Sequence, residues 1–311
     1  MNNLLPILVL LPILGGVALL LGRRGALTDS AGESFANLTG LLSLGLSIFL
    51  VVSVLRWTPD VSDAKQRATA DATMPGGAAT VPADNASMPA DTTMPANAAT
   101  IVPRLEFAPE WFRIRLPATA TLTDGGWQLR LGLDGIGAIM VLLTTLVTSC
   151  VIVIAQTTVE RRRAEFCAWL LIASGCMMLV FVSMDLLLFY IGFELVLIPL
   201  FVLIAGWGER DATGAAKRFV LYTLAGSIPM ILALLGISLM YKYESPTVWQ
   251  IGFSELSQRA AEFAPTADKL GMQTWIFGFL LLGLGIKTAI LPLHTWLPTT
   301  YGAAHPTSSP F

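Results

Sequence analysis

The stretch "LLLFYIGFELVLIPLFVLIAGW" (residues 186–207) decides how the rest of the chain is interpreted. A helix needs about 20 apolar residues to cross the roughly 30 Å hydrocarbon core of a bilayer, and this stretch is long enough. It also holds a carboxylate, Glu194, and a charge at bilayer depth costs at least about 2.5 kcal/mol. The stretch therefore predicts a membrane-spanning helix in which Glu194 has a functional role.

The composition extends this prediction to the whole chain. The 311 residues are 54% hydrophobic and only 13% charged, whereas soluble domains carry about 25% charged residues. We predict an all-α, polytopic integral membrane protein with about seven transmembrane helices, one of them broken. The predicted spans are residues 4–21, 35–55, 136–155, 166–184, 186–207, 219–241 and 275–293.

The basic residues of the short connections predict the orientation. Cytoplasmic connections of membrane proteins carry an excess of Lys and Arg. Alternate connections here hold Arg23, Arg24, Arg161, Arg162, Arg163, Arg210, Lys217 and Arg218. We therefore predict a multi-pass protein of the bacterial inner (plasma) membrane with its N-terminus outside.

The long connection 57–133 differs in character from the rest. It contains "ADATMP" (70–75), "ADNASMP" (83–89) and "ADTTMP" (90–95), an imperfect repeat. Such a composition cannot bury enough apolar surface to fold, which predicts a disordered insertion. The chain then divides into two N-terminal helices (1–56), an extracytoplasmic loop (57–133), a helical channel region (134–298) and a short remainder (299–311).

Two opposite charges lie well inside the predicted spans. At 1.5 Å per residue, Glu194 is roughly 12 Å and Lys287 roughly 18 Å beyond the outer ends of their helices. A lone buried ion is far costlier than a matched one, so the similar depth predicts that the two pair. A static structural ion pair remains the alternative to a role in proton transfer.

The stretch "GIKTAILPLHTWLP" (285–298) places a proline five residues after Lys287. Pro292, together with Gly283 and Gly285, predicts a helix that is broken or loosened around the lysine and lines an internal cavity. His294 follows Lys287 by seven residues, on the same helical face. It is a candidate for the proton path, or an interfacial histidine without that role.

Other polar residues have more ordinary interpretations. Asp134 and Asp185 precede predicted helices and are expected to cap them rather than carry protons. The cysteines Cys150, Cys167 and Cys176 lack metal-ligand spacing, so we expect no metal and no cofactor in this chain. A net charge of −2 gives no support for nucleic-acid binding.

Three motifs resemble a known family. "GFELVLIPLFVLIAGWG" (192–208), "GAAKRFVLYTLAGS" (214–227) and "GIKTAILPLHTWLP" are similar to the antiporter-like subunits of respiratory complex I, as is "LGLDGIGAIM" (131–140). Within that family the chain most resembles chain M of NADH–quinone oxidoreductase, the subunit 4 type. The resemblance implies a proton-translocating membrane subunit that contacts other membrane subunits, including neighbouring antiporter-like ones. NADH and quinone would bind to other subunits.

The resemblance also assigns roles to residues. Glu194 matches the family's buried glutamate, and Lys287 matches the lysine of its broken helix. Lys217 matches a lysine at the inner mouth of the proton path, although a positive-inside anchor explains it equally well. The subunits of multisubunit Na⁺/H⁺ antiporters and of energy-converting hydrogenases share this machinery and remain alternatives.

The sequence departs from the family in two places. Thr299 and Tyr301 stand where the family has Asp and His, and His305 is a candidate replacement for that histidine. The chain also stops before the family's second half. We therefore expect a fragment or a truncated gene product, and a degenerate scaffold without pumping activity is a further alternative.

Overall fold

The computed structural model describes residues 4–24, 29–56, 105–107, 113–115, 126–209, 211–244, 252–253, 256 and 267–307. The predicted insertion lies outside these residues. Nine helices lie within them, and the last is a short segment of eight residues. The helices are α1 (Leu4–Arg24), α2 (Asp29–Arg56), α3 (Gly135–Thr158), α4 (Arg163–Val182), α5 (Leu186–Leu195), α6 (Leu197–Trp207), α7 (Ala212–Glu244), α8 (Ala267–Lys287) and α9 (Trp296–Ala303).

Six segments of the described chain are long and apolar enough to cross a membrane. They are Leu4–Gly22, Ser30–Arg56, Gly135–Thr158, Arg163–Val182, Leu186–Trp207 and Ala212–Ser238. The apolar part of α8, Gly271–Lys287, is shorter. The predicted class, an all-α polytopic membrane protein, is confirmed, with six full spans and one shorter apolar helix in place of about seven.

The predicted span 186–207 is confirmed as one segment with a local irregularity next to Glu194. Helix α5 ends at Leu195 and α6 begins at Leu197, but Val196 between them keeps helical dihedral angles and its N–H donates to the Gly192 carbonyl at 3.3 Å. Pro199 explains the position of the irregularity, because it has no N–H to donate to the Leu195 carbonyl and its ring crowds that oxygen.

The predicted span 275–293 is also shorter than expected, since α8 ends at Lys287. Ala289 adopts a left-handed φ of 55°. Its N–H donates to the Ile286 carbonyl at 3.2 Å, and the Ile290 N–H donates to the Gly285 carbonyl at 2.9 Å. This is a Schellman ending. Pro292 has no N–H to donate to the Thr288 carbonyl, so it could not have continued the helix. The predicted break is therefore confirmed, but it falls directly after the lysine.

Four short strands lie in the second half of the long connection 57–133, where the sequence predicts none. Strand β1 (Leu105–Phe107) pairs antiparallel with β4 (Leu131–Leu133), and β2 (Arg113–Arg115) pairs with β3 (Gly126–Gln128). Strand β4 is buried and packs against α1 and α4. The described part of the connection is therefore anchored to the bundle.

Two aspartates cap the helices that start near these strands. The Asp134 carboxylate accepts a hydrogen bond from the Gly137 N–H at 2.6 Å, at the start of α3. The Asp185 carboxylate accepts from the N–H groups of Leu187 and Leu188 at 2.9 and 3.2 Å, at the start of α5. The predicted capping roles are confirmed, and each cap satisfies donors that a helix start leaves free.

The basic connections meet at the opposite end of the bundle. Arg163, at the start of α4, lies 3.6 Å from Glu33, near the start of α2. Trp207, at the end of α6, donates its indole N–H to the Arg161 carbonyl at 2.7 Å, and the Arg162 guanidinium lies 4.7 Å from the centre of its ring. Three connections that the sequence predicted to share a side thus lie at one end of the bundle.

Helices α7 and α8 approach each other closely through two glycines. A methyl group at Gly283 would lie 2.7 Å from the Gly226 carbonyl oxygen, and one at Gly226 would lie 3.0 Å from the Gly283 carbonyl oxygen. Real Cβ atoms essentially never come closer than 3.0 Å to another heavy atom. The contact therefore requires glycine at residue 283 and is tight at residue 226, and it sets the distance between α7 and the last turn of α8, which carries Lys287.

Candidate functional site

The structure brings Glu194 and Lys287 together. Glu194 lies in the last turn of α5, beside the irregularity at Val196, and Lys287 is the last residue of α8. The Lys287 Nζ is 3.4 Å from the Glu194 Oε1. The side chains are 14% and 20% exposed, so little solvent screens the interaction.

Phe193 supplies two further contacts to Lys287. The ammonium donates to the Phe193 carbonyl oxygen at 2.9 Å and lies 3.1 Å from the centre of the Phe193 ring. A cation over an aromatic face within about 6 Å is attracted by the ring. The carbonyl belongs to the last turn of α5, where the irregularity at Val196 perturbs the normal hydrogen-bond ladder. The irregularity after α5 and the end of α8 therefore meet at the lysine.

Ser227 on α7 contacts the other member of the pair. Its hydroxyl donates to the Glu194 Oε1 at 2.5 Å, and the residue is buried. Nothing in the sequence points to Ser227, because a serine within a helix usually donates to its own backbone and gives no sign of another partner.

Trp296 holds the chain beyond the lysine. Its indole N–H donates to the Ile286 carbonyl oxygen at 2.9 Å, and its ring packs against Phe219 of α7 with centroids 5.6 Å apart. Helix α9 is thereby fixed to the end of α8 across the turns that separate them. This contact determines where the peptide next to Lys287 lies.

A cavity of about 420 Å³ adjoins the lysine. Its wall is mainly aliphatic and aromatic, with hydroxyl groups from Thr223, Thr300 and Tyr301. Leu203 and Ile204, near the end of α6 at which the basic connections meet, also line it. Val180 and Phe181, near the end of α4, line it too, so the cavity extends from Lys287 toward the basic end and also toward the opposite end.

The other predicted site residues lie apart from the pair. Lys217 is exposed near the start of α7, ten residues or roughly 15 Å along the helix from Ser227. His294 lies in the turns between α8 and α9, so the prediction that it shares a helical face with Lys287 is wrong. Its Nδ1 is buried and has no hydrogen-bond partner among the described residues.

His305 lies after α9, close to the basic end. Its Nδ1 accepts from the Thr307 N–H at 3.2 Å, and its ring packs against Phe166 with centroids 6.0 Å apart. Thr307 in turn shares a hydrogen bond of 2.7 Å with Thr158 of α3. His305 therefore fastens the chain beyond α9 to the bundle.

Among the residues that the structure describes, none form a group of three or more His, Cys, Asp or Glu side chains able to hold a metal ion.

Residues 183–310 match the family model described as NADH:quinone oxidoreductase/Mrp antiporter, transmembrane. This stretch is therefore similar to that family of membrane subunits. Chain 4 of the chloroplastic NAD(P)H-quinone oxidoreductase of Dioscorea elephantipes is 36% identical over 176 residues, 57% of this chain and 33% of the relative. A chain 4 of the same oxidoreductase from Picosynechococcus is 38% identical over 179 residues, 58% of this chain and 30% of the relative.

A solved structure shares the fold over nearly the whole chain. A chain of respiratory complex I from Thermus thermophilus, solved with bound NADH, superposes with a TM-score of 0.62 at 26% identity, covering 99% of this chain and 49% of that one. The predicted resemblance to the subunit 4 type is confirmed. The chain spans about a third of the length of the curated relatives it matches.

Proposed function

We propose that this chain acts as the proton-translocating membrane subunit of an NADH:quinone oxidoreductase. Electron transfer in other subunits would be coupled to proton movement through Glu194 and Lys287. The observation that carries the proposal is the position of Lys287: its ammonium ends a broken helix, contacts a carboxylate and a backbone carbonyl, and adjoins a cavity. The names of the relatives support the same function.

The physical basis is the cost of an unpaired charge in a low-dielectric interior. An ammonium next to a carboxylate is stabilised, whereas one that loses its partner is costly and can relieve the cost by releasing its proton. Shifts of about three pKa units occur for buried groups, and they correspond to about 4 kcal/mol. Moving one charge costs about 2.3 kcal/mol per 100 mV, so such a shift matches a potential of roughly 180 mV.

The remaining candidates give the proton a route to the pair. The cavity beside Lys287 extends toward the basic end, and its hydroxyl groups can bond water molecules. Lys217 is proposed as a polar entry near that end. His294 is proposed as a carrier beside the break, since its buried Nδ1 needs a partner that water can supply.

The partners and the membrane location of the subunit follow from the same proposal. Its partners are the other membrane subunits of the complex, including neighbouring antiporter-like subunits, and NADH and quinone bind elsewhere. No cofactor is assigned to this chain. The proposed location is a bacterial inner membrane with the N-terminus outside, supported by the basic connections that meet at one end of the bundle.

A sodium–proton antiporter subunit is the second candidate. The family description that matches residues 183–310 includes the Mrp antiporter as well as the quinone oxidoreductase. The relatives named above are quinone oxidoreductase chains, which favours the first candidate.

The test uses the complete subunit in its assembled complex, reconstituted in sealed vesicles. Lys287→Met and Glu194→Gln should each cut proton translocation severely, because each leaves the other group without its partner. NADH oxidation by artificial acceptors should survive. Glu160→Gln, which removes an exposed carboxylate outside the pair, is the control and should pump normally. Parental translocation in an assembled Lys287→Met or Glu194→Gln complex would refute the proposal.

A further inference from the structure

The Ser227 hydroxyl has two acceptors within reach. Its Oγ lies 2.5 Å from the Glu194 Oε1 and 2.9 Å from the Thr223 carbonyl oxygen, one turn earlier on α7. A hydroxyl has a single proton, so the two acceptors compete for it. Bonds from a hydroxyl to an ionised carboxylate are typically 2.5–2.7 Å long and about twice as strong as neutral ones. The shorter, charge-assisted bond to Glu194 therefore prevails.

Lys287 holds the same carboxylate oxygen more loosely. Its Nζ is 3.4 Å from the Glu194 Oε1, longer than the 2.7–2.9 Å typical of an ammonium–carboxylate bond. The lysine's shorter bond, 2.9 Å, goes to the Phe193 carbonyl instead. In this arrangement the carboxylate is held mainly by α7, and the ammonium rests between two acceptors on α5.

We propose that Ser227 is a positioning residue of the Glu194–Lys287 pair. Its hydroxyl holds the Glu194 carboxylate, which belongs to α5, against α7. It also supplies a hydrogen bond that persists when Lys287 moves away. A buried carboxylate that loses every donor is costly, so this bond lowers the cost of opening the pair. The inference rests on the proposed function, since a static ion pair would not need to open.

Three variants of Ser227 test the hydroxyl in the complete, assembled complex. Ser227→Ala removes it, and we expect the number of protons translocated per NADH oxidised to fall about tenfold, equivalent to about 1.4 kcal/mol. Ser227→Thr keeps a hydroxyl and should restore the ratio. Ser227→Cys has a similar size but only a weak donor, so it should lose coupling as well, and it replaces the alanine variant if that variant does not assemble.

Ser174 provides a matched control. It is fully buried in α4, and its hydroxyl donates to the Leu171 carbonyl of its own helix at 2.8 Å. Ser174→Ala deletes a hydroxyl of the same burial away from the pair. It should leave the ratio of protons to NADH unchanged. A purely structural role for Ser227 would lower the amount of complex but not this ratio.

The outcomes separate the inference from the function on which it rests. If Ser227→Ala or Ser227→Cys couples as well as Ser174→Ala, while Lys287→Met and Glu194→Gln fail to pump, the pair acts without Ser227 and the inference is overturned. If Lys287→Met and Glu194→Gln pump normally, the proposed function itself has failed. Loss of coupling in Ser227→Ala and Ser227→Cys with rescue by threonine supports the inference.

Discussion

Gly283 sets the distance between α7 and α8, and through it the position of Lys287 one helical turn later. A methyl group at residue 283 would lie 2.7 Å from the Gly226 carbonyl oxygen and 2.9 Å from the Met230 Cβ. Ordinary van der Waals contacts begin at 3.4 Å. To bring the 2.7 Å contact to that distance, Gly283→Ala has to separate the helices by about 0.7 Å. The obstructing atoms belong to helix backbone or to a Cβ, so they cannot rotate aside.

A displacement of this size is enough to disturb the site. If α8 carries Lys287 outward by the full amount, the Nζ–Phe193 oxygen distance grows from 2.9 Å to as much as about 3.6 Å, which is no longer a hydrogen bond. Hydrogen bonds to charged groups contribute about 1.5–3 kcal/mol. At about 1.4 kcal/mol per factor of ten, the paired arrangement should lose roughly tenfold to a hundredfold in population.

The assay compares proton uptake into vesicles with NADH oxidation for the complete complex. Gly283→Ala should lower the ratio of the two several-fold. Gly278→Ala, on the same helix, is the control because its new methyl group meets nothing within 4 Å. Both changes raise helix propensity equally, so the difference between them reports the contact. Equal coupling in the two variants would show that the distance between α7 and α8 does not control the lysine.

Two further predictions concern the break and the orientation. Trp296→Phe removes one of the two N–H groups that donate to the Ile286 carbonyl and should destabilise the protein by about 0.5–1.5 kcal/mol, seen as a lower midpoint of thermal unfolding. Trp169→Phe, which removes a buried indole N–H with no partner among the described residues, should cost less, and an equal loss would contradict the role of the Trp296 bond. A cysteine introduced at Thr213 should react with membrane-impermeant reagents only from the inside, whereas cysteines at Thr80 and Thr247 should react from the outside. Reaction of the Thr213 position from the outside of sealed cells would reverse the proposed topology.

The pairing of Glu194 and Lys287 could be anticipated from the sequence because it depends only on helix rise. Both predicted spans run in the same direction, and a constant 1.5 Å per residue places the two charges at similar depth. Because the two charges are opposite and lie at similar depth, pairing is the arrangement with the lowest free energy. The packing of the helices decides which atoms meet. It also decides that Lys287 makes its shorter hydrogen bond to the Phe193 carbonyl.

The breaks were less predictable. Pro292 predicts a helix break, but helical geometry extended beyond Lys287 places His294 wrongly. Pro199 carries the same signal for α5, four residues after Leu195. A proline in a membrane span can be absorbed by neighbouring groups without a full interruption, so the sequence does not decide between a kink and a break.

Ser227 shows where prediction from sequence ends. Thr223 and Ser227 each have a hydroxyl within hydrogen-bonding distance of the carbonyl one turn earlier on the helix. Only Ser227 also faces a carboxylate from another helix. The difference arises from the rotation of α7 against α5, to which the Gly226–Gly283 contact with α8 contributes, and a local pattern contains no information about that rotation.

The pairing of β1 with β4 gives the protein a point at which a probe can be attached. Strand β4 is buried and packs against α1 and α4, so the β1–β4 pair is held to the bundle. Each doubling of a loop's length costs only about 0.6 kcal/mol, so extra residues inserted before Leu105 are expected to cost little. A fluorescent reporter or a rigid fiducial for electron microscopy could therefore be grafted there.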